Sequence, residues 1–97
     1  MERTKNLVAA YIGDGYLYGA ADHPRASLPS YWMDVQYEDG FALVELRDVP
    51  EDVALALENQ GLPGQVYADG YEAARAAAPY VAGVIYGEPD LQVVRRS

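Results

Sequence analysis

The 97-residue chain contains no cysteine, which excludes a disulfide framework, a thiolate metal site and a cysteine nucleophile. Its one histidine, His23, stands in Asp22-His23-Pro24-Arg25, where a carboxylate could orient the imidazole as a base. No nucleophile or second metal ligand accompanies it at a recognisable spacing. Long apolar runs are also missing. The longest near the N-terminus covers residues 7–12, too short for a signal-peptide core or a bilayer span, so the expectation is a soluble, cytoplasmic protein. Neither Gly-x-Gly-x-x-Gly nor Gly-Lys-Ser/Thr occurs, which removes the common phosphate cradles. No cofactor or metal is implied.

Cations are scarce as well: 7 Lys and Arg stand against 15 Asp and Glu, for a net charge of -8. The imbalance is local. Residues 31–60 hold eight acids against Arg47 alone, while the segments on either side are close to neutral. Such a field repels nucleic acid and attracts basic surfaces. The length and a 51% apolar composition fit a single small globular domain over residues 1–97.

What is present first is hairpin grammar. Asp39-Gly40 separates two apolar-polar alternations, and Asp-Gly favours a type I′ turn because both central residues need positive φ. The predicted hairpin covers residues 31–48 and places Met33, Val35, Tyr37, Ala42, Val44 and Leu46 on a core face. The other face then carries Trp32, Asp34, Gln36, Glu38, Phe41, Leu43, Glu45 and Arg47. In that register Asp34 faces Glu45, a like-charge pair that costs stability, and Trp32 faces Arg47. An earlier hairpin is predicted around Asp14-Gly15, pairing Ile12 with Leu17, Val8 with Ala21 and Tyr11 with Tyr18. Its two faces are both largely apolar, which predicts a central or covered position.

Asp48-Val49-Pro50-Glu51 has capping-box spacing and predicts a helix over residues 49–60, ending at Gly61. Its buried stripe is Val53, Ala56, Leu57 and Gln60, with Leu55 left among polar neighbours. A short strand is expected over residues 65–67. Asp69-Gly70-Tyr71-Glu72 repeats the cap and introduces an alanine-rich helix over residues 73–78, ending before Pro79. Residues 80–86 read as a buried strand, and residues 91–95 as a final edge strand. There is also an echo, Tyr-Ile-Gly-Asp-Gly-Tyr, Tyr-Glu-Asp-Gly-Phe and Tyr-Ala-Asp-Gly-Tyr, whose unequal spacing does not make a repeat. The fold class is therefore α+β: an antiparallel sheet of two N-terminal hairpins plus a C-terminal strand pair, with two helices on one face.

Read as a helix, Leu7-Val8-Ala9-Ala10-Tyr11-Ile12-Gly13-Asp14-Gly15 resembles the motif that names the LAGLIDADG homing endonucleases, whose aspartate before the last glycine binds metal. The resemblance covers those nine positions only. Those enzymes grip DNA with a basic saddle, and an acidic chain opposes phosphate neutralisation, so the match is read as coincidence.

The functional expectation is a small acidic protein-binding module, an inhibitor that occupies a basic, nucleic-acid-binding surface of a partner protein as phage or mobile-element anti-defence proteins do. The expected contact set is Trp32, Asp34, Glu38, Asp39, Phe41, Leu43, Glu45, Glu51, Asp52 and Glu58. Carboxylates would take arginine and lysine sites, and the rings would act as desolvated anchors. Direct contact with nucleic acid or a membrane is not expected. Two alternatives remain: a ligand-binding or hydrolytic domain using the Asp22-His23 loop, and a homo-oligomeric assembly subunit with a seam at Leu55.

Overall fold

Residues 7–12 are apolar on both sides, and in the structure they lie in the middle of a sheet with helices on both faces. The computed structural model describes residues 3–22 and 32–87. The elements are β1 (Thr4–Ile12), β2 (Tyr16–Asp22), α1 (Trp32–Val35), β3 (Ala42–Pro50), α2 (Glu51–Glu58), α3 (Gly70–Ala77), a 3-10 turn at Ala78–Tyr80, and β4 (Val81–Tyr86). The four strands are antiparallel in the order β2-β1-β3-β4. This is the expected α+β class, and α2 and α3 cover the same face. They close a core with Leu7, Tyr11, Leu17, Val44, Leu46 and Leu57.

The β1–β2 hairpin forms with Val8 opposite Ala21, as expected. Near the turn it differs: Ile12 pairs with Tyr16 and Tyr11 with Leu17, and a register shift after Ala10 passes over Tyr18. Gly13 and Gly15 both adopt positive φ, 61° and 86°. Two glycines thus admit a third loop residue, and a bulge absorbs it. The LAGLIDADG-like segment is accordingly strand and turn rather than helix.

The 31–48 hairpin does not form. Residues 32–35 are a short helix, and β3 pairs with β1 and β4 instead. Asp39-Gly40 does make a turn, closed by Phe41 N–H donating to the Glu38 carbonyl at 3.2 Å. Only Gly40 has positive φ, 77°, so it lacks the type I′ geometry that returns one strand onto another. Trp32 and Val35 recur at helical spacing, and α1 packs them on the second face of the sheet with Val8, Ala10 and Leu43.

The Asp48 capping box is also absent. β3 runs on to Pro50, Asp48 sits at φ 57°, and its N–H donates to Asn6 Oδ1 at 3.1 Å. The Glu51 N–H is instead satisfied by the Arg3 carbonyl at 3.0 Å. α2 is shorter than the expected residues 49–60 and buries Ala54, which the expected stripe left out, while Val53 is half-buried. As expected, Leu55 is 58% exposed, Ala56, Leu57 and Gln60 are buried, and Gly61 follows the helix at φ 89°. Residues 65–67 form no strand, because Gln65 ties the loop to itself through Gly61 N and the Ala68 carbonyl. Asp69 caps α3 as predicted, accepting from Glu72 N at 2.9 Å, while Glu72 accepts from Ala68 N at 2.8 Å. β4, expected to be buried, ends the described sheet with Val84, Ile85 and Tyr86 exposed. The strand expected over residues 91–95 lies outside the described residues.

Candidate functional site at the meeting of three turns

The chain uses Asp-Gly-aromatic three times, at Asp14-Gly15-Tyr16, Asp39-Gly40-Phe41 and Asp69-Gly70-Tyr71. A hairpin turn, a turn leading into a strand and a helix cap are different local structures, yet the three meet in space. Gly13 N–H donates to the Asp39 carbonyl at 2.9 Å, and a Cβ on Gly40 would stand 2.8 Å from Gly13 N. The first two turns therefore touch backbone to backbone. A Cβ on Gly70 would lie 2.6 Å from both the Leu17 carbonyl oxygen and the Tyr16 ring, so glycine lets α3 close on β2. Tyr71, one residue on, meets Tyr16 edge to face, with centroids 5.3 Å apart and planes at 86°.

The result is a cleft of about 470 Å³ walled by Ile12, Gly13, Tyr16, Tyr18 and Tyr71, with Glu38 and Asp39 along one side. The same two acids border a second cleft, of about 640 Å³, whose far wall includes Phe41 and Tyr86. Those rings lie 5.8 Å apart, tilted by 55°. Beyond them Trp32, Met33, Leu43 and Ile85 help to line an apolar hollow of about 310 Å³. The Glu38-Asp39 turn is thus an acidic ridge between two aromatic walls, with exposed apolar surface adjoining.

The expected contact set separates. Glu38 and Asp39 are exposed at the ridge, Asp34 is exposed on α1, and Phe41 is half-buried. Trp32 and Leu43 are 1% and 6% exposed, so they are core residues of the second face rather than anchors on a free surface. Glu45 is not opposed to Asp34; it is half-buried on β3 and paired with Arg47 at 2.6 Å. The facing of Trp32 and Arg47 goes with the hairpin that does not form. Glu58 is half-buried and held by Lys5 at 3.1 Å, a lysine that also binds Asp22 at 2.7 Å. The Asp22 hydrogen bond and then that of Glu58 hold the Lys5 ammonium above its ordinary range, and Lys5 in turn holds the Asp22 carboxyl below its own.

Glu51 and Asp52 are exposed, but Glu51 N binds Arg3 at the start of β1 whereas Asp39 binds Gly13 just past its end. A nine-residue strand at about 3.3 Å per residue puts the two acidic groups roughly 30 Å apart. The acids of the middle third therefore do not form one surface.

Sequence reasoning missed Tyr16, Tyr18 and Tyr71 as neighbours of Glu38 and Asp39. The Asp-Gly-aromatic echo was the available signal, and only folding joins its copies. His23 lies outside the described residues, so the Asp22-His23 loop gains no geometry. Among the described residues no group of three or more His, Cys, Asp or Glu is placed to hold a metal ion, and no helix is long and apolar enough to cross a membrane. No protein-family model, curated protein or solved structure matches the chain.

Proposed function

We propose that the protein is an acidic protein-binding module that engages a basic segment or surface of a partner through the end of the molecule where Glu38 and Asp39 project. One observation carries this reading. Two acids of the middle third, Glu38 and Asp39, and tyrosines distant from them in sequence become adjacent there, giving carboxylates that attract cations and rings that supply contact area. The partner's arginines or lysines would be sites that otherwise hold nucleic-acid phosphate, so binding acts by competition, as in an inhibitor of a nucleic-acid-binding protein. Relative to the ten-residue contact set, the reading keeps Asp34, Glu38, Asp39 and Phe41 and adds Tyr16, Tyr18 and Tyr71.

The test is affinity capture from cells of the source at low salt, comparing the native chain with a Glu38→Lys/Asp39→Lys double variant. Basic proteins retained by the native chain, released by raised salt and displaced by added duplex nucleic acid, should be lost with the variant. Equal retention by both chains would refute the proposed face.

A further inference from the structure

The cleft between Tyr16, Tyr71 and the Glu38-Asp39 turn has walls of one chemistry and a rim of another. Aromatic faces attract a cation through their quadrupole, and carboxylates accept hydrogen bonds from it. Among the described residues no lysine or arginine lines the cleft. Gly70 brings α3 against the Tyr16 ring, Tyr71 meets that ring edge to face, and the Gly13 N–H donating to the Asp39 carbonyl at 2.9 Å ties the acidic turn to the end of β1. The positive end of α3 lies nearby, and the Asp69 carboxylate, accepting from Glu72 N, offsets it.

We propose that this cleft is a binding site for a guanidinium group, the side chain of an arginine presented by the partner protein. The inference rests on the binding-module reading and names the ligand chemistry at its centre. The tyrosine walls select an organic cation, and the acids choose among such cations. A guanidinium is planar, stacks on rings and offers a fork of N–H donors to carboxylates. A quaternary ammonium suits rings but has no hydrogen to give, and a primary ammonium is a compact, strongly hydrated charge that stacks poorly. The cleft is shallow and open to solvent, which suits the end of one side chain presented from a partner's surface rather than a fully enclosed free ligand.

The test is an NMR titration of the full chain, following the Tyr16 and Tyr71 ring resonances. The probes are N-acetyl-arginine methylamide, the corresponding lysine compound and tetramethylammonium chloride. The arginine probe should shift both rings with a dissociation constant on the order of millimolar and bind more tightly than the other two. Tyr71→Ala and Asp39→Asn should each weaken it about three- to fivefold, with the spectrum elsewhere retaining its folded dispersion. Equal or tighter binding of tetramethylammonium would overturn the assignment to guanidinium, and absence of any ring shift would overturn the site. If partner capture still depends on Glu38 and Asp39 while the rings do not respond to arginine, the binding module stands and this inference falls. If capture itself is independent of those acids, the module reading falls first.

Discussion

The Tyr11 hydroxyl is enclosed between the sheet and its covering helices, 1% exposed and without a hydrogen-bond partner among the described residues. Burial pushes its pKa far above the ordinary tyrosine range. An unsatisfied buried hydroxyl costs about 1–3 kcal/mol, so Tyr11→Phe should leave stability unchanged or raise it by about 1 kcal/mol, read from the urea midpoint at neutral pH. The linkage has a definite sign. The folded-state pKa is raised, so the contribution is whole below the unfolded value of about 10 and is lost as pH rises above it. Native protein should therefore lose stability in alkali more steeply than Tyr11→Phe, with the phenolate absorbance of Tyr11 appearing only on unfolding. A steeper loss in the variant would contradict this account. Lys5 with Asp22 illustrates the other extreme, since an ion pair open to solvent contributes at most about 1 kcal/mol.

Two Asp-x-x-Glu sequences have the same spacing and different fates, which makes the helix ends informative. Asp69 caps α3, and Asp69→Ala should cost about 1 kcal/mol. Asp48 caps nothing, because β3 continues past it to Pro50 and the Arg3 carbonyl takes the Glu51 N–H. Asp48 pays for a left-handed backbone instead, and Asp48→Gly should be neutral or stabilise by up to about 1 kcal/mol. Chemical denaturation of both variants checks the pair; a loss of about 1 kcal/mol in Asp48→Gly would restore a structural role to that carboxylate. The same contrast explains the failed hairpin over residues 31–48. Alternation in Trp32-Met33-Asp34-Val35-Gln36-Tyr37 fits a strand, while the spacing of Trp32 and Val35 fits a helical turn equally well. Local pattern left the choice open, and β3 had a better partner in β1, where Leu43, Val44 and Leu46 meet Ala10, Ala9 and Leu7.

At the scale of the whole molecule the charge is divided by the length of β1. Glu38 and Asp39 belong to one end of the sheet, Glu51 and Asp52 to the other. If binding occurs at the ridge, Glu51→Lys/Asp52→Lys should retain partner binding to within about twofold at physiological ionic strength, because about 30 Å spans several Debye lengths, whereas Glu38→Lys/Asp39→Lys removes it. Surface plasmon resonance against a captured partner separates the two; equal losses would mean that net charge alone governs association. The exposed Leu55, Val84, Ile85 and Tyr86 do not alter that comparison, since neither double variant changes them.

Composition and short-range chemistry were enough to specify the α+β class, the first hairpin, the cap of α3, the glycine that ends α2 and the acidity of the middle third. Each depends on residues a few positions apart, where steric and hydrogen-bonding rules act without reference to the rest of the chain. Which strand pairs with β3, the burial of Trp32, the separation of the acids into two ends and the union of Tyr16, Tyr71, Glu38 and Asp39 in one cleft depend on contacts between segments far apart in the chain. Competing pairings of similar local merit were settled there by how much apolar surface each could bury, a quantity that exists only once the sheet and its helices are assembled.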